Sequence, residues 1–313
     1  MNKGIFCLSL DIELLWGRHD LNYQPFIKRA ERERKIISRL LYLFEKYSIS
    51  ATWGVTGHLF LEKCEPINKK KHMDIIRPKY PWVKNDWFEP DPGSNLKKDP
   101  GWYGLDIVKK IIKNHKQEIG SHSFSHVLFG HPGCSRACAE SEIRACVLLA
   151  KKYNIKLSSF IFPRNLVGHL DILEKYAFTA FRDKERQWYS FLGDSTIDRV
   201  LKLIELFIPI APPIARPYKI GRLCAIPISM YFVSARGLRR YLSKMIRYKK
   251  AKLGIDTAIK EKKIFHLWTH PTDLVDNKEV LMEEFEAIIE YAHRMRKKGQ
   301  LEIKTMKQIA EEL

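Results

Sequence analysis

The stretch Glu118-Ile119-Gly120-Ser121-His122-Ser123-Phe124-Ser125-His126 decides how the rest of the sequence is interpreted. Its first residues, Glu118 to Gly120, predict a short strand that ends in a polar turn carrying two histidines. If that turn opens a helix, His122 and His126 lie on one face, one turn apart. The spacing then suits two imidazoles on one divalent metal ion, whereas the alternative is a surface turn with two solvated histidines. A third ligand at the end of another strand would favour the metal site.

The composition is that of a folded globular chain. Its 313 residues are 45% hydrophobic and 29% charged, which is enough for one large core. The N-terminus lacks the apolar segment and cleavage site of a secretory signal, and no stretch approaches the roughly 20 apolar residues of a membrane span. We therefore expect a cytoplasmic protein whose six cysteines are reduced thiols. Cys134 and Cys138 near His131 could mimic a zinc cluster, but a helix face with buried thiols fits their spacing better.

The formal net charge of +19 is unusually high. It predicts attraction to an anionic partner such as nucleic acid, phospholipid headgroups or a phosphate-bearing substrate. Part of the lysine excess can also serve plain solvation. No helix-turn-helix, zinc-finger or RNP-type motif accompanies the charge, so no nucleic acid is expected as a partner.

Strand-like and helix-like segments alternate along the chain, which indicates parallel strands joined by helical crossovers in a barrel or an open sheet. Strands are predicted at 4–10, 50–55, 118–120, 157–162, 178–181, 263–268 and 301–304. Helices are predicted at about 26–47, 105–115, 140–153, 171–176 and 280–296, with another from 305 onward. The region 66–100 is rich in Pro, Lys, Asp and Trp without a clear period, and we interpret it as a long loop insertion.

Polar residues follow several of these predicted strands directly. In a (β/α) barrel such positions converge on one mouth, where catalytic residues lie. Any one of them could be an ordinary turn residue, but their common placement favours a shared site. They are Asp11, Glu13, His122, His126, Arg164, Asp183 and His270.

These residues resemble the motifs of the polysaccharide deacetylases with NodB homology, carbohydrate esterase family four. The second motif, Gly120 to His126, matches very closely, and the first and fifth match well. The resembling segments are Ser9-Leu10-Asp11-Ile12-Glu13, Ala51 to Gly57, Gly120 to His126, Phe162-Pro163-Arg164-Asn165, Phe181-Arg182-Asp183 and His266-Leu267-Trp268-Thr269-His270. The resemblance covers about 4–270 and implies an irregular (β/α)7-type barrel of parallel strands with surrounding helices. It would form one catalytic domain over 1–313, with insertions at about 66–100 and 185–255.

The resemblance also implies a role for each residue. Glu13, His122 and His126 would hold one divalent metal ion, with zinc as the default. Asp11 would be the catalytic base, and Arg164 would orient it. His270, steered by Asp183, would protonate the leaving amine. The family pattern has two adjacent aspartates, whereas Ile12 separates Asp11 from Glu13 here. Exchanged roles for these two acids therefore remain open.

Two stretches lie outside the resemblance. Residues 203–214 are apolar and broken by prolines, and Arg236 to Lys252 predicts a basic helix with an apolar side. Together they suggest peripheral contact with an anionic membrane on its inner leaflet through 203–252. The alternative is a core helix with a solvated charged face.

The leading prediction is a metal-dependent hydrolase that removes an N-acyl group, such as acetyl, from an amino sugar. The sugar would belong to an envelope or capsule glycan or to its lipid-linked or nucleotide-linked precursor. A deformylase or another amide hydrolase of the same fold is the first alternative. A non-catalytic, basic carbohydrate-binding or anion-binding protein is the second.

Overall fold

The centre of the molecule is a sheet of mostly parallel strands. The structure, a computed structural model, describes residues 2–68, 70–184 and 207–313. The first strand, β1, spans Gly4–Ile12 and is buried along its whole length. A continuous apolar run of this kind suits a parallel strand that is covered on both faces.

The strands curl around β1 into an incomplete barrel. In the described residues their order is β6-β7-β5-β4-β3-β2-β1-β9-β8, and β10 also pairs with β1. The pair β6–β7 is antiparallel and the other pairs are parallel. The strands after β1 are β2 Ala51–Val55, β3 Gln117–Ser121, β4 Ser159–Phe160, β5 Ala180–Asp183, β6 Tyr218–Ile220, β7 Leu223–Pro227, β8 Met230–Tyr231, β9 Ile264–Thr269 and β10 Leu301–Lys304.

Helices surround this sheet, and the predicted irregular (β/α)7-type barrel is confirmed. The long α1 buries Ile36, Ile37, Leu40 and Phe44 at the helical spacing read from the sequence. The helices are α1 Ile27–Lys46, α2 Leu105–Ile112, α3 Arg136–Lys151, α4 Leu170–Lys175, α5 Ile246–Glu261, α6 Lys278–Lys297 and α7 Met306–Glu311. Among the residues described, no helix is both long and apolar enough to cross a bilayer.

The segment 61–104, apart from the undescribed Lys69, contains neither an α-helix nor a strand. The stretch 66–100, interpreted above as a long loop insertion, lies within this segment. Although irregular, it contributes Ile75, Tyr80, Trp87 and Phe88 to the main hydrophobic core. Packing and isolated backbone bridges, such as that between Lys63 and Asn95, therefore fix its path.

Part of the segment predicted as an insertion, at about 185–255, belongs to the sheet. Residues 185–206 lie outside the described residues, as does the start of the apolar stretch at 203–214. The remainder contains β6, β7 and β8, and β7 pairs in parallel with β5. The sequence prediction missed these strands because they are short and separated by only a few residues.

The predicted basic helix from Arg236 to Lys252 is wrong. Gly237–Tyr241 forms a 3-10 turn, and the α-helix α5 begins only at Ile246, after Met245 takes a left-handed φ of 67°. Arg247 is buried and forms an ion pair with Glu284 at 3.2 Å. The single amphipathic cationic helix that suggested membrane contact therefore does not exist.

Candidate active site

The carboxyl end of the sheet brings together most of the residues predicted from sequence. Asp11 lies near the end of β1, and Glu13 follows that strand. His122 and His126 follow β3, and His270 follows β9. Because these strands run parallel, their ends meet at one mouth, as expected for a (β/α) barrel.

The two histidines lie in a turn and not on a helix, so the expected helical spacing is wrong. Ser123 and His126 have left-handed φ values of 55° and 62°, which an α-helix does not allow. The ring centroids of His122 and His126 nevertheless lie 5.1 Å apart. A tight turn thus brings the two imidazole rings close together, as one face of a helix would have done.

Glu142 on α3 holds this turn in place. Its buried carboxylate accepts hydrogen bonds from the backbone N–H groups of Phe124 and Ser125, both at 2.8 Å. It also accepts one from the Ser125 hydroxyl at 2.6 Å. Two backbone donors of a turn that lies outside regular structure are thereby satisfied.

Glu13 supplies the third potential ligand. Its Oε1 lies 3.0 Å from His122 Nε2 and 3.1 Å from His126 Nε2. Burial alone would raise the pKa of Glu13, but the neighbouring charges of His126 and His270 outweigh it and hold that pKa well below its usual value. The lowered pKa favours an ionised carboxylate at Glu13.

The tautomer of His122 shows that this trio fits a cation. His122 Nδ1 lies 2.8 Å from the Ile161 carbonyl, which can only accept, so Nδ1 carries the proton. In a neutral ring Nε2 then points its lone pair at the Glu13 carboxylate, and two acceptors face each other. A divalent ion between them resolves the conflict, and histidine ligands commonly donate their second ring N–H to a carbonyl in this way.

Asp11 is paired with an arginine, but not with the one predicted. Arg182 on β5 donates to both carboxylate oxygens of Asp11, each at 2.6 Å, and both side chains are buried. Burial raises the pKa of Asp11, but Arg182, His122 and His270 outweigh that effect and lower it. The base candidate is thus held in one orientation and kept ionised.

The predicted pairing of Arg164 with Asp11 is wrong. Arg164 donates to both carboxylate oxygens of Asp20, at 2.6 and 2.8 Å. It still lines the cleft described below. Arg182 stands next to Asp183 in the sequence. Because side chains alternate between the two faces of a strand, Arg182 points away from the side to which Asp183 points, and it could have been considered as the partner of Asp11.

The predicted pairing of Asp183 with His270 is also wrong. Asp183 accepts a hydrogen bond from the Tyr218 hydroxyl at 2.5 Å. The partner of His270 is Asp273, whose Oδ2 lies 3.0 Å from His270 Nδ1. Asp273 stands three residues after His270, within one turn of a 3-10 helix, and that spacing was the overlooked signal.

The second nitrogen of His270 faces the other acids. His270 Nε2 lies 3.5 Å from Glu13 Oε1 and 3.8 Å from Asp11 Oδ2. Burial would lower the pKa of His270, but the charge of Glu13 and the hydrogen bond to Asp273 outweigh it and raise the pKa well above its usual value. A protonated imidazole is therefore favoured at this edge of the site.

These groups surround a cleft of about 300 Å³. This volume is at the small end of the usual range of about 300–1,000 Å³ for ligand pockets. Trp268 forms one wall, and the Arg182 guanidinium lies 4.4 Å from the centre of its ring. The lining residues are Asp11, Glu13, Gly17, Arg18, His126, Arg164, Asn165, Arg182, Trp268 and His270.

Comparison with known proteins finds similarity in structure and not in sequence. No protein-family model matches the chain, and no curated protein matches it. A putative polysaccharide deacetylase from Mycobacterium smegmatis is similar, with a TM-score of 0.65 at 11% identity over 100% of this chain and 91% of the other. A probable polysaccharide deacetylase from Pseudomonas aeruginosa PAO1 has a TM-score of 0.61 at 11% identity over 98% and 89%. The Puue allantoinase also has a TM-score of 0.61, at 12% identity over 98% and 89%.

At such identities the similarity concerns the fold, and an allantoinase shares it. The activity must therefore be argued from the residues at the mouth of the sheet. The chain has the fold of the polysaccharide deacetylases, and at that level the resemblance drawn from its sequence motifs is confirmed.

Proposed function

We propose that this protein is a metal-dependent hydrolase that removes an N-acyl group, acetyl by default, from an amino sugar of a glycan or a glycan precursor. One observation carries the proposal. Three ligand atoms of Glu13, His122 and His126 lie within 4.8 Å of one another, and Asp11 and His270 stand beside them. A metal site flanked by an ionised base and a protonated acid suits the hydrolysis of an amide.

Glu13, His122 and His126 would hold one divalent ion, with zinc as the default for this ligand set. When bound, such an ion acidifies a water molecule and polarises the amide carbonyl. Three protein ligands leave positions for water and substrate, as in catalytic rather than structural zinc sites.

Asp11 would accept the proton of the attacking water. The two hydrogen bonds from Arg182 fix the direction of its carboxylate and keep it ionised. Asp11 is not one of the three proposed metal ligands. Replacing it should therefore stop proton transfer and leave the metal ligands in place.

His270 would donate a proton to the leaving nitrogen. Asp273 accepts from Nδ1, so that the proton on Nε2 points into the cleft. Without this proton the leaving group would be an amine anion, which departs very poorly. The acid is therefore needed for an amide more than for an ester.

The size of the cleft suits one sugar unit rather than a longer stretch of a glycan. Trp268 offers an aromatic wall against which an apolar sugar face can pack, and Asn165 and the arginines offer donors. Arg18 carries positive charge at the same cleft, whereas the charge of Arg164 is balanced by Asp20. The charge of Arg18 favours a substrate with an anionic group, such as the phosphate of a lipid-linked or nucleotide-linked precursor.

Metal analysis combined with release of acetate from N-acetylglucosamine oligomers and from a nucleotide-linked N-acetyl sugar tests this proposal. We expect the parent protein to hold the ion and release acetate. His122→Ala should lose the ion and the activity. Asp11→Asn should keep the ion and lose at least about 100-fold in kcat, since general-base catalysis contributes about 10²–10⁴-fold.

Two results would redirect the proposal. Release of formate but not acetate from N-formyl sugars would indicate a deformylase built on the same residues. Tight sugar binding without any release, unchanged in Asp11→Asn, would show a binding protein and overturn the hydrolase.

A further inference from the structure

A second cluster of potential ligands lies apart from the cleft, where the turn after β2 meets the irregular segment 61–104. It consists of His58, Cys64, His72 and Asp91, whose ligand atoms all lie within 4.8 Å of one another. Asp91 Oδ2 is 3.2 Å from His58 Nε2 and 3.1 Å from His72 Nε2. Cys64 Sγ is 3.3 Å from the same nitrogen of His72. None of the four lines the cleft.

The hydrogen bonds of His58 cannot be satisfied by a neutral ring alone. Its Nδ1 lies 3.2 Å from the Trp102 carbonyl, which only accepts, so the proton belongs on Nδ1. Nε2 then presents a lone pair to the carboxylate of Asp91. A cation held between the ring and the carboxylate removes the conflict. The same conflict marks His122 and Glu13 in the cleft.

We propose that His58, Cys64, His72 and Asp91 bind a second divalent ion of the zinc class. Cys, His and Asp are all zinc ligands, and a tetrahedron with bonds of about 2.0–2.3 Å has edges of about 3.3–3.8 Å. The observed separations of 3.1, 3.2 and 3.3 Å are close to these edges. A thiolate and a carboxylate also balance the two charges of the ion, which makes a neutral group that tolerates burial.

The groups behind the ligands are arranged as in metal sites. Asp91 Oδ1 accepts from the Tyr103 hydroxyl at 3.1 Å and from the Gly93 N–H at 3.0 Å, so that Oδ2 alone faces the cluster. His58 donates its other ring N–H to the Trp102 carbonyl. Such outer contacts fix ligand orientation and the histidine tautomer.

This second site would be structural and not catalytic. His58 and Asp91 are fully buried, while Cys64 and His72 are nearly so. Four protein ligands close a tetrahedral ion and leave no position for substrate. His58 follows β2, whereas His72 and Asp91 lie within 61–104, so the ion would fasten a segment without helices or strands to the sheet.

Cys64 gives the second site a signature that the cleft lacks. No cysteine lines the cleft, so a thiolate-to-cobalt charge-transfer band in the near ultraviolet can come only from a cysteine elsewhere. We expect the Co²⁺-substituted full-length protein to show this band. Cys64→Ser should lose it, whereas Cys224→Ser, at a buried cysteine in β7, and His122→Ala should both keep it.

Metal content provides the second readout. The protein purified in zinc should contain about two ions per chain, and Cys64→Ser or His122→Ala about one each. Removal of zinc from the His122→Ala protein should also make residues 61–104 sensitive to a protease, because the metal ion no longer holds this segment against the sheet.

The outcomes separate the two sites. Absence of the charge-transfer band in the parent protein, with no more ion than His122→Ala removes, would show that the cluster is a plain hydrogen-bond network and overturn the second site. A Cys64-dependent band in a protein without deacetylase activity would support the second site and leave the proposed function to fail on its own. If Cys64→Ser does not fold, His72→Ala replaces it: this variant should lose the band, whereas Cys134→Ser should keep it, and the opposite result would overturn the second site.

Discussion

Arg182 and Arg164 both line the cleft, but they bind different carboxylates. Arg182 holds Asp11 through two hydrogen bonds of 2.6 Å, whereas Arg164 is paired with Asp20. A lysine can keep the charge at 182 but cannot reach both carboxylate oxygens in one plane. We therefore expect Arg182→Lys to lower kcat by about 100-fold, the usual cost of misplacing a catalytic group by an ångström.

Arg164→Lys is the matched control, since it makes the same change at the same cleft. Its kcat should fall by less than about tenfold, because no catalytic carboxylate loses its partner. Steady-state kinetics on the acetylated substrate, with circular dichroism to confirm folding, measures both variants. Equal losses would mean that contact with Asp11 is not what matters about Arg182.

The sequence indicated which side chains lie together at the site, but it did not indicate which of them form hydrogen-bonded pairs. Asp11, Glu13, His122, His126 and His270 converge as predicted, because parallel strands deliver their ends to one edge. The partners of Asp11 and His270 were misassigned. Which of several nearby charges pairs with a given acid depends on side-chain direction, and motif order does not record it.

At the scale of elements, the turn from His122 to His126 depends on Glu142. Replacing Glu142 with alanine leaves the N–H groups of Phe124 and Ser125 without their acceptor in a buried place. We expect Glu142→Ala to lower the free energy of unfolding by about 2–4 kcal/mol. Metal affinity at the cleft should fall about 10–100-fold, as for other outer contacts of metal ligands.

Glu140 provides the control on the same helix. Its carboxylate forms salt bridges with Arg136 and Lys175 at the surface. Glu140→Ala should cost less than about 1 kcal/mol and leave the metal in place. Urea unfolding and a metal titration distinguish the two variants, and similar results for both would contradict the role assigned to Glu142.

Elements with a strong period were predictable from the sequence, whereas several short strands between residues 218 and 231 were not. The apolar run of β1 and the amphipathic α1 have patterns that admit one interpretation. The strands β6 and β8 have only 3 and 2 residues, too few to show a period. The pairing of β7 with β5 and of β8 with β9 joins segments far apart in the sequence. The helix expected from Arg236 fails at Met245, where a left-handed residue breaks a pattern that reads as continuous.

At the scale of the whole molecule, stability should depend on pH through Glu33. This α1 residue is buried, and burial first and the charge of Glu13 second raise the pKa of its carboxyl from 4.5 to about 8. The folded protein thus keeps the proton over a range in which the unfolded chain releases it. The unfolded state is therefore increasingly favoured as pH rises from 4.5 to about 8.

Replacing Glu33 with glutamine removes this dependence. We expect the free energy of unfolding of the parent protein to fall relative to Glu33→Gln, by at most a few kcal/mol, between about pH 5 and pH 8. Urea unfolding of both proteins across this range measures the difference. Parallel curves would show that Glu33 ionises equally in both states.

The central position of β1 has a consequence for how the chain folds as it is made. β1 can pair early with β2, but Gly4 pairs with Leu301 and Ile5 with Ile264, so two of its partners are made only much later in the chain. Contacts of such long range slow folding and leave apolar edges exposed meanwhile. During synthesis we therefore expect a long interval in which the apolar β1 lacks two of its neighbouring strands and is prone to aggregate.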